Sequence, residues 1–287
     1  MVQEKQQGGG ISRREFVEAL GIGLGSACVL GALDPTIVLA DGALPEKAIL
    51  YDSTKCIACH TCEKACKTTY HLEGEVRVDG GLNANTWLKV TASEVTLSDG
   101  TSALIYNRLA CMHCGSCADV CPSKALVQRD DGIVTMNPDK CIGCRYCHAA
   151  CPFDIPRYGD DGTMRKCILC WGRVDDGLKP ACVEACPTGA LAFGYRSDLV
   201  ERGRERVSAL IDEGYSEAYL YGDKELGGTP LLHILAYSPN IYGLPDLPLE
   251  KQKPMTLGDL WKPLAGIIGV AAIAFGGVSY MKGRKKG

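Results

Sequence analysis

Two long apolar stretches without a charged residue stand near the two ends of this chain. The first runs from Ala19 to Leu33, the second from Leu264 to Met281. The eighteen uncharged residues of the second are enough for a membrane-spanning helix. Between them the pattern changes repeatedly. Residues 41–50 read as a short linker. Glu75-Val76-Arg77-Val78 and Trp87-Leu88-Lys89-Val90 alternate as strands do, with turns at Gly80-Gly81 and Asp99-Gly100. This predicts a small β insertion over 72–109. Ser197 to Gly214 has helical spacing: Leu199, Val207, Leu210 and Ile211 share one face, Asp198 and Glu201 offer a capping box, and Gly214 closes the end. Tyr215 to Pro254 is rich in Gly, Pro and Tyr and predicts an extended docking arm after the helix.

The ends agree on an orientation. Ser12-Arg13-Arg14-Glu15-Phe16 before the first apolar stretch matches a twin-arginine signal, and Val38-Leu39-Ala40 fits a small-residue cleavage site, so 1–40 reads as an export signal. Cys28 lies inside it and reads as a small apolar residue, the context being a poor lipoprotein box. At the other end Trp261 and Tyr280 flank the apolar segment, and Lys282, Arg284, Lys285 and Lys286 follow. By the positive-inside rule, 261–282 is a single anchor, 283–287 is a cytoplasmic tail, and the intervening domain lies on the outer, periplasmic face of the membrane. A buried helix is the competing reading of this segment.

Sixteen of the 17 cysteines then decide the chemistry. They fall into four runs: Cys56, Cys59, Cys62, Cys66; Cys111, Cys114, Cys117, Cys121; Cys141, Cys144, Cys147, Cys151; and a stretched run, Cys167, Cys170, Cys182, Cys186. The first three follow C-x2-C-x2-C-x3-C, the bacterial ferredoxin spacing for [4Fe–4S] clusters. Three thiolates on a tight loop reach three iron corners, and the fourth corner must be reached from distant sequence. The runs must therefore work in pairs, each sending its last cysteine to a neighbouring cluster. Disulfide frameworks do not repeat this spacing, and structural zinc would leave the third cysteine of each run idle. Pro122, Pro152 and Pro187 follow the last cysteine of three runs, where a fixed φ ends the local turn; run one has Lys67 instead. Four full ligand sets predict four [4Fe–4S] clusters and a path for electrons.

Composition adds limits. Aromatic residues are only 7%, so the core around the clusters is thin and the clusters help to hold it. A net charge of −3 gives no sign of a nucleic-acid partner. No P-loop, Rossmann fingerprint or nucleophile elbow is present. Cys121-Pro122-Ser123-Lys124-Ala125-Leu126 recurs as Cys186-Pro187-Thr188-Gly189-Ala190-Leu191, which supports a duplicated module. The predicted fold class is α+β: two duplicated ferredoxin-like two-cluster modules, a small β insertion and one C-terminal transmembrane helix. The four-cluster domain spans 41–196, with an outer module of 50–70 and 165–196, the insertion at 72–109 and an inner module of 110–160. Residues 197–260 are the helix and arm. His60, His113, His148 and His233 are not assigned as ligands. Lys55, Lys140 and Lys166 each precede a run, and either offset cluster charge or are solvated surface lysines.

The chain resembles the four-cluster iron–sulfur subunits of membrane-bound respiratory oxidoreductases, above all the β subunits of formate dehydrogenases and the ferredoxin-like subunits of membrane-bound [NiFe] hydrogenases. The resemblance runs from Leu50 to about Leu264 and rests on such segments as Cys111-Met112-His113-Cys114, Lys140-Cys141-Ile142-Gly143-Cys144-Arg145-Tyr146-Cys147 and Arg165-Lys166-Cys167-Ile168-Leu169-Cys170. It implies four ligand sets: Cys56, Cys59, Cys62 with Cys186; Cys167, Cys170, Cys182 with Cys66; Cys111, Cys114, Cys117 with Cys151; and Cys141, Cys144, Cys147 with Cys121. Many relatives have a longer loop in run two, where this chain has only Gly115-Ser116. The implied function is a non-catalytic electron-transfer subunit between a catalytic partner and a membrane cytochrome b or quinone-reactive subunit. The alternative is an anchored polyferredoxin with no fixed partner.

Overall fold

The computed structural model describes residues 47–249. The signal, Cys28, the anchor and the basic tail lie outside the described residues. Among those described, no helix is long and apolar enough to cross a membrane.

The chain enters as strand β1 (Lys47–Asp52), followed by helix α1 (Thr61–Tyr70), the paired strands β2 (Leu88–Thr96) and β3 (Ser102–Ala110), and the one-turn helix α2 (Ser116–Asp119). A hairpin of β4 (Leu126–Gln128) and β5 (Val134–Met136) precedes a second one-turn helix, α3 (Tyr146–Ala149). A smaller hairpin of β6 (Arg157–Tyr158) and β7 (Met164–Arg165) precedes α4 (Trp171–Asp175) and α5 (Ala181–Glu184). Strand β8 (Leu191–Tyr195), the long helix α6 (Arg196–Asp212), β9 (Tyr219–Tyr221) and β10 (Leu231–Leu235) complete the described chain. The recurrence of short helix and hairpin fits duplicated modules in an α+β fold.

A four-stranded sheet in the order β8-β1-β10-β9 organises the molecule. Strands β1 and β10 are parallel, and the outer strands pair antiparallel to them. Side chains alternate across the sheet with period two. Ala48 and Leu50 of β1, with Leu232 and Ile234 of β10, pack under α6 against Leu199, Val200 and Leu210. Ile49 and Tyr51, with Leu231 and Leu235, face the other way into a core shared with Cys62, Cys66 and Cys182. The sheet is thus a wall between a helix and the cysteine-rich interior. Each buried leucine on α6 contributes about 1.5–3 kcal/mol by leaving water.

Two expectations change here. The linker at 41–50 contains the start of β1, and the described part of the segment read as an extended arm supplies β9 and β10. Both central strands are buried on both faces, so Lys47–Asp52 and Leu231–Leu235 show no polar–apolar alternation to betray them. The expected helix forms, over Arg196–Asp212, but Tyr195 is its N-cap and no side chain caps it. The capping box is absent because the helix begins at Arg196, which places Asp198 inside its first turn, where Oδ1 accepts from Ser197 Oγ. Ile211 lies off the buried face and is 48% exposed. The C-terminal stop is as expected: Gly214 adopts φ +103°, Gly214 N–H donates to Ile211 O, and Tyr215 N–H donates to Leu210 O. Gly203, inside α6, has another purpose: a Cβ there would stand 2.7 Å from Leu220 Cδ1, so the glycine lets the helix lie close on the sheet.

The β insertion is the β2–β3 hairpin, nine residues a side, closed by Asp99, whose Oδ1 accepts from Thr101 N and Oγ1. Its base (Leu88, Val90, Ile105, Ala110) is buried and its tip is exposed. The alternating residues 75–78 form no strand: Val78 is 74% exposed, and the chain turns at Gly80 N–H to Arg77 O. Four alternating residues with no partner strand cannot make a ladder.

Candidate metal centres

The cysteine runs are built by one repeated backbone device. In runs one to three the residue before the second cysteine and the residue after it both take the left-handed conformation: Ala58 and His60, His113 and Gly115, Gly143 and Arg145. Two left-handed residues in five curl the loop so that its three thiols face one point. A helix then begins one residue before the third cysteine, at Thr61, Ser116 and Tyr146. The stretched run departs slightly, with Leu169 and Cys170 left-handed and its third cysteine, Cys182, on a separate helix. The short Gly115-Ser116 loop of run two has the same conformation as the others. Non-glycine residues in this region each cost on the order of 1–3 kcal/mol. Such strain, repeated at equivalent places, marks a loop shaped for a ligand.

The last cysteines cross between runs. Cys56, Cys59 and Cys62 share a cavity with Cys186, which encloses about 360 Å³ of empty space, part of it open to solvent. Cys141, Cys144 and Cys147 share another, of about 340 Å³, with Cys121. The cysteines that act electrostatically on Cys66 are Cys167, Cys182 and Cys170, and α1 packs on α5 to bring them together. Cys117 has Cys111, Cys114 and Cys151 beside it. All sixteen described cysteines are free thiols. No three His, Cys, Asp or Glu side chains among the described residues converge on a single ion. Each group surrounds a volume instead of a point, which is the shape of a cluster cage and not of a zinc tetrahedron.

The four groups also have an order. Cys62 feels Cys182, and Cys111 feels Cys167. Helices α2 and α3 pack on each other to join the remaining pair. The series runs from the Cys56 group through the Cys167 and Cys111 groups to the Cys141 group. In its interior every cysteine is buried or half-buried. Each end holds an exposed cysteine, Cys59 and Cys144, beside an exposed isoleucine, Ile57 (59%) and Ile142 (68%).

Burial pushes the thiols at Cys62 and Cys117 up to about 12, and those at Cys151 and Cys167 up to about 11. Such thiols ionise only in exchange for a cation, as in ligation to iron. Cys121 and Cys186 are lower than usual: burial opposes ionisation, but donors gathered around each sulfur outweigh it. Ser123 Oγ and Thr188 Oγ1 lie 3.7 Å from the two sulfurs, and backbone amides at Ala125 and Leu126, and at Ala190 and Leu191, join them. The repeated Cys-Pro-Ser/Thr-Lys/Gly-Ala-Leu segment is thus a donor nest, opened by a left-handed residue at Lys124 and Gly189. Backbone amides reach the first cysteines too: Ala58 N–H to Cys56 Sγ at 3.5 Å, His113 N–H to Cys111 Sγ at 3.3 Å and Leu169 N–H to Cys167 Sγ at 3.4 Å.

A second signature is a set of buried nitrogens with no acceptor. Arg108 Nε and Nη1, His113 Nε2 and both ring nitrogens of His233 are buried and unpaired. His113 Nδ1 accepts from Val134 N–H, so its proton sits on the unpaired Nε2. Buried donors are nearly always paired. Sulfides and thiolates of bound clusters are acceptors of the right kind, so the residues fit [4Fe–4S] clusters. Burial holds His113 and His233 neutral, His233 being pushed down to about 3.

Of the three lysines that precede runs, Lys55 and Lys140 are exposed. Lys166 is 3% exposed and donates to Val134 O and Cys167 O. Arg108 has no such motif, and sequence patterning overlooked it. The one signal was its position on β3, on the same face as Ala110, at the entrance to run two.

Two models of the 4Fe-4S dicluster domain match the chain, over residues 55–126 and 102–196. The formate dehydrogenase-O iron–sulfur subunit of Escherichia coli (strain K12) is 39% identical over 236 residues, 77% of this chain and 78% of that one. The iron–sulfur subunit of the nitrate-inducible formate dehydrogenase of the same organism is 38% identical over 247 residues, 80% and 82% of the two chains. A subunit of the anaerobic dimethyl sulfoxide reductase of that organism is 40% identical over 160 residues, 52% of this chain and 73% of that one. Two dicluster domains give four [4Fe–4S] clusters, and this chain belongs to the family of ferredoxin-type iron–sulfur subunits of formate dehydrogenases.

Proposed function

We propose that this chain is a non-catalytic relay, passing single electrons through four clusters between a formate-type catalytic subunit and a membrane cytochrome b or quinone-reactive subunit. The observation that carries this is the series of four cysteine groups with one exposed cysteine at each end. A relay needs buried intermediate sites and two accessible termini. The ligand sets are the four crossed groups: Cys56, Cys59, Cys62, Cys186; Cys66, Cys167, Cys170, Cys182; Cys111, Cys114, Cys117, Cys151; and Cys121, Cys141, Cys144, Cys147. Bound clusters supply one-electron sites; the chain supplies ligands, donors to sulfur and exclusion of water. A catalytic role would require an open iron position, and every run is complete at four cysteines. Formate is favoured because it is the substrate named for the two relatives that match most of the chain, while the dimethyl sulfoxide reductase subunit matches about half of it. The [NiFe] hydrogenase reading rests on the sequence resemblance alone.

The twin-arginine signal and the segment 261–282 support an export route for folded cargo and an anchored domain on the outer face. Anaerobic purification from solubilised membranes without crosslinker tests the reading. The chain should elute with a stoichiometric catalytic subunit, and formate should reduce its clusters. Elution alone would favour the anchored polyferredoxin carrier, and reduction by hydrogen but not formate would move the partner to a hydrogenase. Truncation before Trp261 should release the folded domain outside the cytoplasm, and a truncated protein that still pellets with membranes in high salt would remove the anchor.

A further inference from the structure

Arg108 is the largest fully buried side chain described, at 1% exposure. It projects from the base of β3 into the interior between two cysteine groups. It lines the cavity of Cys56, Cys59, Cys62 and Cys186 on one side, and Nη2 donates to Cys182 Sγ of the neighbouring group at 3.6 Å on the other. Nε and Nη1 have no partner, and no carboxylate pairs with it among the described residues. The other buried cations near the series are different: two backbone carbonyls satisfy Lys166 and two more satisfy Lys67, while Lys89 pairs with Glu63. A guanidinium stays charged wherever it is placed, and burying a charge without a counter-charge costs several kcal/mol. The histidine that neighbours it, His233, is neutral and packs edge-on to Tyr51. Arg108 is therefore a lone cation whose only anionic surroundings are thiolates and what they hold.

We infer that Arg108 is a potential-setting residue shared by two adjacent clusters, its free N–H groups donating to sulfur of the Cys56 set and of the Cys167 set together. This rests on the crossed ligand sets proposed above. Adding an electron to either cluster increases negative charge beside the guanidinium, so the cation favours the reduced state and raises both potentials. Hydrogen bonds to cluster sulfur act in the same direction. A planar fork can face both sets at once, as a lysine ammonium on one stem cannot. In the Cys111 set the buried cation that acts on the cysteines is Lys166, not Arg108.

The test is an anaerobic redox titration of the full complex followed by electron paramagnetic resonance, with iron measured on each sample. In Arg108→Gln the reduction equilibrium of two centres should fall at least ten-fold, about 59 mV for a one-electron couple. The other two should stay in place, and iron should remain near wild type. Arg108→Lys should recover part of the shift. Unmoved centres with full iron, or an equal shift of all four, would overturn the inference while leaving the four-cluster reading intact. Low iron in wild-type protein would instead overturn that reading. Should Arg108→Gln fail to hold its iron, wild-type protein labelled with ¹⁵N-arginine decides: the outer pair's reduced signal should carry a nitrogen hyperfine coupling that Arg108→Lys abolishes. A signal with no such coupling in the wild type would equally sink the idea.

Discussion

Removing Glu63 should loosen two clusters at once, although it ligates neither. Glu63 stands on α1 between Cys62 and Cys66, and its carboxylate is buried, at 1% side-chain exposure. Oε1 accepts from Val90 N–H at 2.7 Å and contacts His60 Nδ1 at 2.7 Å, while Oε2 pairs with the equally buried Lys89 at 3.3 Å. These bonds tie α1 to β2. In Glu63→Ala the Lys89 ammonium keeps only the carbonyl of Arg77, and the Val90 amide is orphaned. Breaking one side of a buried ion pair costs about 3–5 kcal/mol, and the remaining carbonyl places this case near ~3 kcal/mol. At about 1.4 kcal/mol per decade, opening of α1 away from the hairpin becomes roughly 100-fold more frequent. Each opening exposes Cys62 and Cys66, which belong to different groups. Where reclosing outruns chelation, iron loss tracks the open population. Anaerobic challenge with an iron chelator, followed by visible absorbance, should therefore run about 100-fold faster than in the wild type. The paired replacement Glu63→Gln with Lys89→Met should recover to within about 1 kcal/mol, because both charges leave together. A single variant that loses iron at the wild-type rate would refute this account, as would a double variant whose loss equals the sum of the two singles.

Cys121→Ser should shift the same paramagnetic signal as Cys147→Ser and leave the Cys117→Ser signal alone, in a protein that binds roughly sixteen irons at four per cubane; a signal shared with Cys117 would mean that each run holds its own cluster. Gly203→Ala should destabilise the domain by about 1–3 kcal/mol, because the new Cβ meets Leu220 at 2.7 Å, and a guanidinium melt unchanged from wild type would show that the helix can retreat at no cost. Lys124→Gly should stabilise by up to ~1 kcal/mol and retain full iron, since φ is +54° there and the equivalent place in run four is already Gly189; a loss of stability would mean that the lysine side chain contributes something its exposure does not suggest.

Much of the site was legible because its spacing is local. Three thiols on a seven-residue curl, a proline after the last cysteine and a repeated Cys-Pro segment depend on neighbours in sequence, and the structure builds them alike in every run where they occur. The helix from Arg196 was legible because one face is buried and one exposed, and the hairpin from Leu88 because its strands flank a local turn at Asp99-Gly100. What the linear pattern hid had both faces buried or lay far apart. Strands β1 and β10 are apolar on both sides, pair from opposite ends of the described chain, and so resembled linker and arm. The capping box failed because the helix starts at Arg196, so Asp198 sits inside the first turn and not at the N-cap. The cysteine runs by themselves determined the cofactor, since thiolate number and spacing are matched to iron corners. Only the tertiary structure decided which buried nitrogens stand among the cysteines: Arg108, His113 and His233 come from a strand, a loop and the central sheet. Their unpaired nitrogens have no other acceptor among the described residues, and that is a property of packing which no local pattern of residues can encode.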